Sequence, residues 1–286
     1  MFELETSFLI GNYQATLNIG HAFKASSSSD AITRDWYIYR AYVHTDPSVV
    51  LNEIGRDAPL GLISVKLLAA YCQSSDNWEG VLGTIKAWLD KGEIIGNPLA
   101  EVVIATILYK AGRFEDALRV LSDTKSLEGR SLLVQLYLSM HRFDYAAKEV
   151  KQMQAIKDDA VATQLATAWL CLHDKGKYEE AAYIYQDIIE KYGSTVSLLN
   201  GLGVAYMSIG QFDKAEKILL DALVQDNKSD LTKTNLVVVS HHLDKPYDKI
   251  KRDLASIMST SPSNPWTLNL KKADENFDLL AKKFRT

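Results

Sequence analysis

The sequence has few cysteines, no excess of positive charge and no long apolar run, and each shortage excludes a class of protein. Its two cysteines, Cys72 and Cys171, lack the spacing of a metal or redox site. We interpret both as buried thiols in a reducing compartment. The net charge of −4 and the pI near 5.9 provide no basic face for a nucleic acid. We therefore expect no nucleic-acid partner.

The apolar segments are too short to cross a membrane. A spanning helix needs about 18 or more apolar residues, whereas the run at 102–109 ends after about two helical turns. The opening residues 1–5 also lack the basic region and the apolar core of a signal peptide. These features predict a cytoplasmic protein.

A repeat of an aromatic residue three positions before a small or apolar anchor runs along the chain. The anchors of the clear copies are 29 to 35 residues apart, a period typical of repeat proteins. The clear copies are Phe114/Ala117, Phe143/Ala146, Tyr178/Ala181, Phe212/Ala215 and Tyr247/Ile250, and the weaker copies are Tyr13/Thr16, Ser48/Leu51 and Trp78/Val81. Eight units therefore tile nearly the whole sequence.

The residues within one unit predict a pair of packed helices. Leu199, Leu202 and Tyr206 follow helical spacing and define the inward stripe of a first helix. A glycine at the turn allows a left-handed backbone, and we expect this role for Gly11, Gly112, Gly176 and Gly210. A single pair cannot bury both of its apolar faces, so neighbouring units must stack into a solenoid.

Residues 196–227 resemble the tetratricopeptide repeat. The pattern matches at Leu202, Gly203, Tyr206, Ala215, Leu219 and Ala222, while Leu199 replaces the usual tryptophan. We predict an all-α superhelix of about eight helix pairs over residues 1–262, with a capping helix at 263–286 that belongs to the same domain and covers the last repeat. The irregular unit lengths favour a ring-like curve. Residues 26–29 and 92–98 are predicted to be exposed loops, and Asp46 is predicted to cap a helix that begins at Pro47.

A closer resemblance extends over the full length. Segments 8–14, 39–42, 163–169, 198–201, 235–236, 240–246 and 272–278 resemble, in order, the epsilon-subunit family of coatomer, the COPI vesicle coat. This resemblance implies a non-catalytic subunit that binds the C-terminal domain of the coatomer alpha subunit as about one copy of each. It also implies peripheral attachment to Golgi membranes and COPI vesicles, and a role in Golgi-to-ER retrograde and intra-Golgi transport.

Partners of tetratricopeptide arrays usually lie against the first helices, which line the concave side. The outward positions of these helices mix apolar and amide groups with little charge, as a groove for an extended or hairpin segment requires. The candidate partner-binding residues are Thr106, Tyr109, Gln135, Thr167, Leu170, Asn200, Val204, Met207, Asn235 and Val239. The alternative for Asn200 and Asn235 is that their amides only satisfy local backbone groups.

Other functions find little support in the sequence. The alternative adaptor is a chaperone-binding tetratricopeptide scaffold, which binds the C-terminal carboxylate of a chaperone through cationic side chains of its first helices. The corresponding positions of this sequence carry Val102, Ser131, Ala166, Asn200 and Asn235, without a cationic pair. The adjacent His241 and His242 point in different directions on a helix and have no accompanying ligand set. We expect no enzyme activity, no catalytic residue, no cofactor and no metal.

Overall fold

The computed structural model describes residues 1–73, 78–262 and 264–284. These residues form seventeen helices and contain no strand, which confirms the all-α prediction. The helices are α1 (Phe2–Leu9), α2 (Tyr13–Ala22), α3 (Ser28–Thr45), α4 (Pro47–Glu53), α5 (Leu60–Gln73), α6 (Trp78–Lys91), α7 (Pro98–Lys110), α8 (Phe114–Leu121), α9 (Leu127–Ser139), α10 (Phe143–Lys157), α11 (Val161–Cys171), α12 (Tyr178–Tyr192), α13 (Val196–Ile209), α14 (Phe212–Gln225), α15 (Asp230–His242), α16 (Tyr247–Thr260) and α17 (Pro265–Phe284).

The aromatic residues of the repeat mark the starts of the second helices. Seven even-numbered helices begin at one of them: Tyr13, Trp78, Phe114, Phe143, Tyr178, Phe212 and Tyr247. Most anchors are buried, since Thr16, Ala117, Ala146, Ala181 and Ala215 are all 0% exposed. The weak copy in α4 differs, because Val50 is fully buried there and Leu51 is only half-buried. The predicted anchor is therefore wrong by one residue in that helix.

The chain divides into two compact units, Met1–Gly193 and Ser194–Thr286, named unit 1 and unit 2 here. Unit 1 contains α1 to α12 and unit 2 contains α13 to α17. In each unit a first helix packs on its own second helix and on the next first helix, as a stacked array requires. The boundary at residue 193 was not predicted from the sequence, and the predicted division at residue 262 stays a prediction.

An aromatic–histidine contact recurs between consecutive repeats. The aromatic residue that begins a second helix packs against a histidine near the end of the next first helix, about one repeat later in the sequence. The ring centroids are 4.2 Å apart for Tyr13 and His44, 5.3 Å for Phe143 and His173, and 4.2 Å for Phe212 and His242. These contacts join neighbouring repeats at the ends of their helices, where backbone hydrogen bonds are fewest.

The predicted caps and loops are only partly as expected. The Asp46 carboxylate accepts a hydrogen bond from the Ser48 backbone N–H at 3.1 Å, so the predicted cap of α4 is confirmed. The predicted loop at 26–29 is right for residues 26 and 27 and wrong for 28 and 29, because the Ser27 side chain caps α3 by accepting from the Asp30 N–H at 3.1 Å and the helix begins at Ser28. Of the two cysteines, Cys171 is buried as predicted and Cys72 is exposed.

Left-handed backbone conformations close the turns within several helix pairs. Gly11, Gly112 and Gly210 have φ values of +82°, +72° and +88°, as predicted. Gly176 was wrongly included, since its φ is not positive and the Asp174 carboxylate accepts its N–H at 3.2 Å instead. The same position between α9 and α10 holds a non-glycine residue, His141, with φ +57°.

Replacing His141 with glycine should raise the free energy of unfolding by about 1 kcal/mol. An L residue in the left-handed region costs roughly 1–2 kcal/mol, and glycine recovers this at the expense of some added freedom in the unfolded chain. The exposed His141 ring loses little packing on removal. Urea unfolding followed by circular dichroism measures the change. The matched control in unit 1, Gly112→Ala, should lower stability by a similar amount, and a loss of stability in His141→Gly would contradict the interpretation.

Gly203 lies where α13 and α14 approach most closely. A methyl group added at Gly203 would lie 2.8 Å from Cδ2 and 2.9 Å from Cγ of Leu219, and Leu219 is fully buried. Neither helix can shift without disturbing the core that Ala215 and Val239 share with Leu219. The packing therefore leaves no room for a side chain at Gly203.

A Gly203→Val change should therefore overpack the core of unit 2 and lower its stability by about 1–3 kcal/mol. Adding Leu219→Ala to the same chain creates the missing space, so the double variant should be more stable than the sum of the two single changes predicts. The measurement is a double-mutant cycle by urea unfolding. Strictly additive effects would show that the two side chains do not meet.

Candidate functional site

The ten candidate partner-binding residues lie on the first helices, five in each unit. Unit 1 holds Thr106 and Tyr109 on α7, Gln135 on α9, and Thr167 and Leu170 on α11. Unit 2 holds Asn200, Val204 and Met207 on α13, and Asn235 and Val239 on α15. Each set is described within its own unit below.

Asn200 is a structural joint between α13 and α15. Its side chain is 3% exposed, and its Nδ2 donates to the Val196 carbonyl and to the Thr232 hydroxyl, both at 2.8 Å. Its Oδ1 accepts a hydrogen bond from Asn235 Nδ2 at 2.9 Å. A buried amide with its hydrogen bonds made inside the protein offers nothing to a partner. For Asn200 the structure supports the local-satisfaction alternative.

Val239 also needs correcting, because it is fully buried. It packs with Ala215 and Leu219 in the core between α14 and α15. The predicted register placed it on the inner face, but its side chain turns toward the second helix of the preceding repeat. We therefore remove Asn200 and Val239 from the partner surface.

The remaining candidates of unit 2 are accessible in part. Val204, Met207 and Asn235 are half-buried. Among the residues that the structure describes, none donates a hydrogen bond to the side-chain amide oxygen of Asn235, whose Nδ2 donates to Asn200. Leu231, one turn before Asn235 on α15, is 58% exposed and was missed by the sequence reasoning. Leu231 precedes Asn235 by four residues and therefore shares its face of the helix, so this spacing could have identified it from the sequence.

The two threonines of unit 1 direct their hydroxyl groups back to their own helices. Thr106 Oγ1 donates to the Val102 carbonyl at 2.7 Å, and Thr167 Oγ1 donates to the Thr163 carbonyl at 2.8 Å. Such bonds satisfy the hydroxyl locally. These two side chains therefore add no free hydrogen-bonding group to the inner face of unit 1.

The other candidates of unit 1 are held by neighbours to different degrees. The Tyr109 hydroxyl is 3.0 Å from Ser139 Oγ, and Gln135 is half-buried. Leu170 lines an open cavity of about 430 Å³ together with Phe143 and charged side chains of the following turn. The role of these five residues in partner binding stays a prediction.

Part of the inner side of unit 1 is filled by its own side chains. The Arg40 guanidinium of α3 lies 4.2 Å from the ring centre of Phe8 and 4.0 Å from that of Trp36. It also forms an ion pair with Glu128 of α9 at 2.6 Å, with both side chains about nine-tenths buried. This contact joins two first helices that are three repeats apart.

The Arg40 cluster concentrates negative charge as well. Burial and the neighbouring Glu128 carboxylate raise the pKa of Glu5 on α1. Burial, followed by the charge of Glu128, likewise raises the pKa of Tyr37. The Glu5 carboxyl and the Tyr37 hydroxyl therefore both lie close enough to Glu128 to be affected by its charge.

The surface shows no arrangement suited to metal chemistry. In residues 1–73, 78–262 and 264–284, no group of three or more histidine, cysteine or carboxylate side chains could hold an ion. His242 is stacked on Phe212 rather than directed at its neighbour His241. None of the helices described above is long and apolar enough to cross a membrane.

Comparison with known proteins identifies the family. The family model described as "Coatomer epsilon subunit" matches residues 1–285. The chain belongs to the coatomer epsilon-subunit family. Similar relatives include coatomer subunit epsilon-1 of Arabidopsis thaliana, 34% identical over 99% of this chain and 97% of the relative. Coatomer subunit epsilon-1 of Oryza sativa subsp. japonica is 35% identical over 97% and 96%, and coatomer subunit epsilon of Dictyostelium discoideum is 31% identical over 99% and 98%.

Solved structures confirm the repeat fold. A tetratricopeptide repeat protein from Parabacteroides merdae superposes with a TM-score of 0.62 at 15% identity, covering 91% of this chain and 97% of that one. A chain of the Cut9–Hcn1 complex gives a TM-score of 0.65 at 12% identity, covering 94% of this chain and 54% of that one. At these identities the likeness establishes the fold alone. Membership of the epsilon-subunit family makes the chain a component of the coatomer coat.

The Arg40–Glu128 pair of this coat subunit provides a test of the contact that joins α3 and α9 in unit 1. An Arg40→Met change leaves the buried Glu128 carboxylate without its ion-pair partner and should lower the free energy of unfolding by about 3–5 kcal/mol. Adding Glu128→Leu removes that carboxylate and should recover most of the loss. Urea unfolding measures both changes. The control is Arg119→Met, since the Arg119 side chain is 77% exposed beside Asp116 and should matter by less than about 0.5 kcal/mol. Equal effects at Arg40 and Arg119 would contradict the analysis.

Proposed function

We propose that the chain is a non-catalytic structural subunit of the COPI coat that binds and stabilises the C-terminal domain of the alpha subunit. The observation that carries this proposal is the match of the epsilon-subunit family model to residues 1–285. The full-length match includes the first helices, which usually form the partner surface of a tetratricopeptide array. The proposed stoichiometry is about one copy of each chain.

The accessible inner residues support a largely apolar contact. Val204 and Met207 on α13 and Leu231 on α15 offer aliphatic surface, and Asn235 offers an amide oxygen to a backbone N–H. These groups suit a peptide segment or hairpin better than a carboxylate terminus, which needs cationic side chains. The partner surface that we propose for unit 2 consists of Val204, Met207, Leu231 and Asn235.

The same proposal gives the location and the process. A subunit held by the alpha chain attaches to membranes only peripherally, through the assembled coat. We therefore propose that the chain is cytoplasmic and is recruited to Golgi membranes and COPI vesicles. There it would serve Golgi-to-ER retrograde and intra-Golgi transport.

Co-expression with the alpha subunit's C-terminal domain tests the proposal. The expected result is a complex that survives gel filtration with about one copy of each chain. Val204→Asp with Leu231→Asp should weaken binding at least tenfold, because carboxylates on the apolar surface must be desolvated without partners. The matched control is Leu220→Asp with Val224→Asp on α14, where the side chains are 46% and 86% exposed. The control should bind within about twofold of the unchanged chain.

Two outcomes would contradict the proposal. If the unchanged chain forms no complex with the alpha domain and instead binds C-terminal peptides of chaperones, the chaperone-scaffold alternative is correct. If the α13/α15 variant and the α14 control bind equally well, the inner surface of unit 2 is not the contact.

A further inference from the structure

The helix α17 carries an apolar stripe that begins in the core and continues uncovered. At about 100° per residue, six of its apolar side chains fall within an arc of roughly one-quarter of the helix circumference. The stripe consists of Trp266, Leu270, Ala273, Phe277, Leu280 and Phe284. Trp266 packs against the cluster of Val237, Ile250 and Ile257, and Leu270 is half-buried.

Beyond Leu270 the same stripe faces solvent. Phe277, Leu280 and Phe284 are 69%, 54% and 88% exposed. The predicted capping helix therefore forms, but it covers the last repeat only with its first residues. The uncovered part is a direct extension of the core of α15 and α16. In a repeat array this is the position of a first helix whose own second helix is missing.

The polar side chains beside the stripe differ in charge on its two sides. Asp274 and Asp278 follow one edge, on the side where Lys271 lies farther from the stripe, and Asn269, Asn276 and Lys272 follow the other. Lys271 is half-buried and the other five are exposed. A helix that packs along α17 thus meets an acidic edge and a basic or amide edge at the same time.

We infer that this stripe is a docking surface for an amphipathic helix of another coat subunit, which packs along α17 and against the last repeat. Its apolar face would cover Phe277, Leu280 and Phe284. Lys or Arg side chains on one side would meet Asp274 and Asp278, and acidic or amide side chains on the other would meet Lys272. The inference goes beyond the proposed function, which concerns the inner faces of the first helices.

Two other occupants fit the stripe less well. The first is a second copy of this chain, which would pair its α17 with this one in an antiparallel, two-fold arrangement. Such a pair places the acidic edge of one copy against the acidic edge of the other. The stripe also spans fewer than the three to four heptads that sustain a coiled coil. An anionic membrane attracts a helix with a basic excess. On α17 the four lysines exceed the three acidic residues by only one, so the charge that would attract such a membrane is small.

Binding to the other coat subunits, co-expressed without this chain, tests the inference. Phe277→Asp with Leu280→Asp should weaken binding at least tenfold. The matched control is Leu268→Asp with Leu279→Asp, on the opposite face of α17 and 51% and 60% exposed. It should bind within twofold of the unchanged chain. Circular dichroism should show unchanged helix content in both variants, because all four side chains are exposed.

A charge-reversal variant tests the edges separately. Asp274→Lys with Asp278→Lys should weaken the same binding at least threefold, with the loss reduced at high salt. Equal binding by the stripe variant and its control would overturn the inference.

The competing occupants have their own readouts. Light scattering that shows a dimer of the unchanged chain and a monomer of the stripe variant, with coat binding unaffected, would assign the stripe to a second copy. If the unchanged chain floats with phosphatidylserine vesicles and the Phe277/Leu280 variant does not, the stripe would be assigned to a membrane. If the chain does not bind the alpha domain but still binds the other coat subunits through the stripe, the result would count against the proposed function only.

Discussion

The uncovered apolar face of each helix pair is the constraint on which this structure depends. Two amphipathic helices can bury the faces that they turn toward each other, but the remaining apolar side of a pair stays exposed until another pair stacks on it. The fully buried anchors Ala117, Ala146, Ala181 and Ala215 show how close this packing is. At Gly203 there is no room for a single added carbon. Stability therefore comes from the contacts between neighbouring helices more than from any helix alone.

The same constraint explains what happens at the edges of the array. In unit 1 the first helices meet across their inner side, where Arg40 lies between aromatic rings and neutralises Glu128. Burying a charged pair is stabilising only when both partners are present, so this contact specifies one arrangement of α3 and α9. In unit 2, by contrast, α17 extends the core with Trp266 and then leaves the stripe without a cover.

Much of the fold could be predicted because helix packing leaves a periodic record in the sequence. An aromatic residue at the start of each second helix must contact the preceding turn, and a small anchor one turn later must fit between two helices. In the structure the aromatic residues of the repeat coincide with the starts of seven second helices. The prediction failed where a neighbour decides the outcome. Gly176 lies in a turn that a side chain closes, and in α4 the buried residue is Val50 rather than Leu51.

The candidate surface was harder to predict than the fold for a related reason. Helical periodicity shows which side chains share a face, but it does not show which face a neighbouring repeat covers. Asn200 and Val239 follow the spacing of a partner surface, yet one is bonded to Thr232 and Asn235 of the next first helix and the other lies in the core. Leu231 was not predicted because it lies one turn outside the repeat motif, at the exposed start of α15.

The polar groups that remain on the inner faces are already ordered before any partner arrives. Thr106 and Thr167 bond to their own helices, and Asn200 holds Asn235 in position. A partner that covers such a surface displaces few hydrogen-bonded waters and immobilises few side chains, which are the main penalties of association. Long charged side chains would reverse both advantages, because they must be desolvated and ordered on binding. A low-charge, pre-ordered surface therefore suits the partner contact that we propose, whereas charge at the rim mainly affects the rate of encounter.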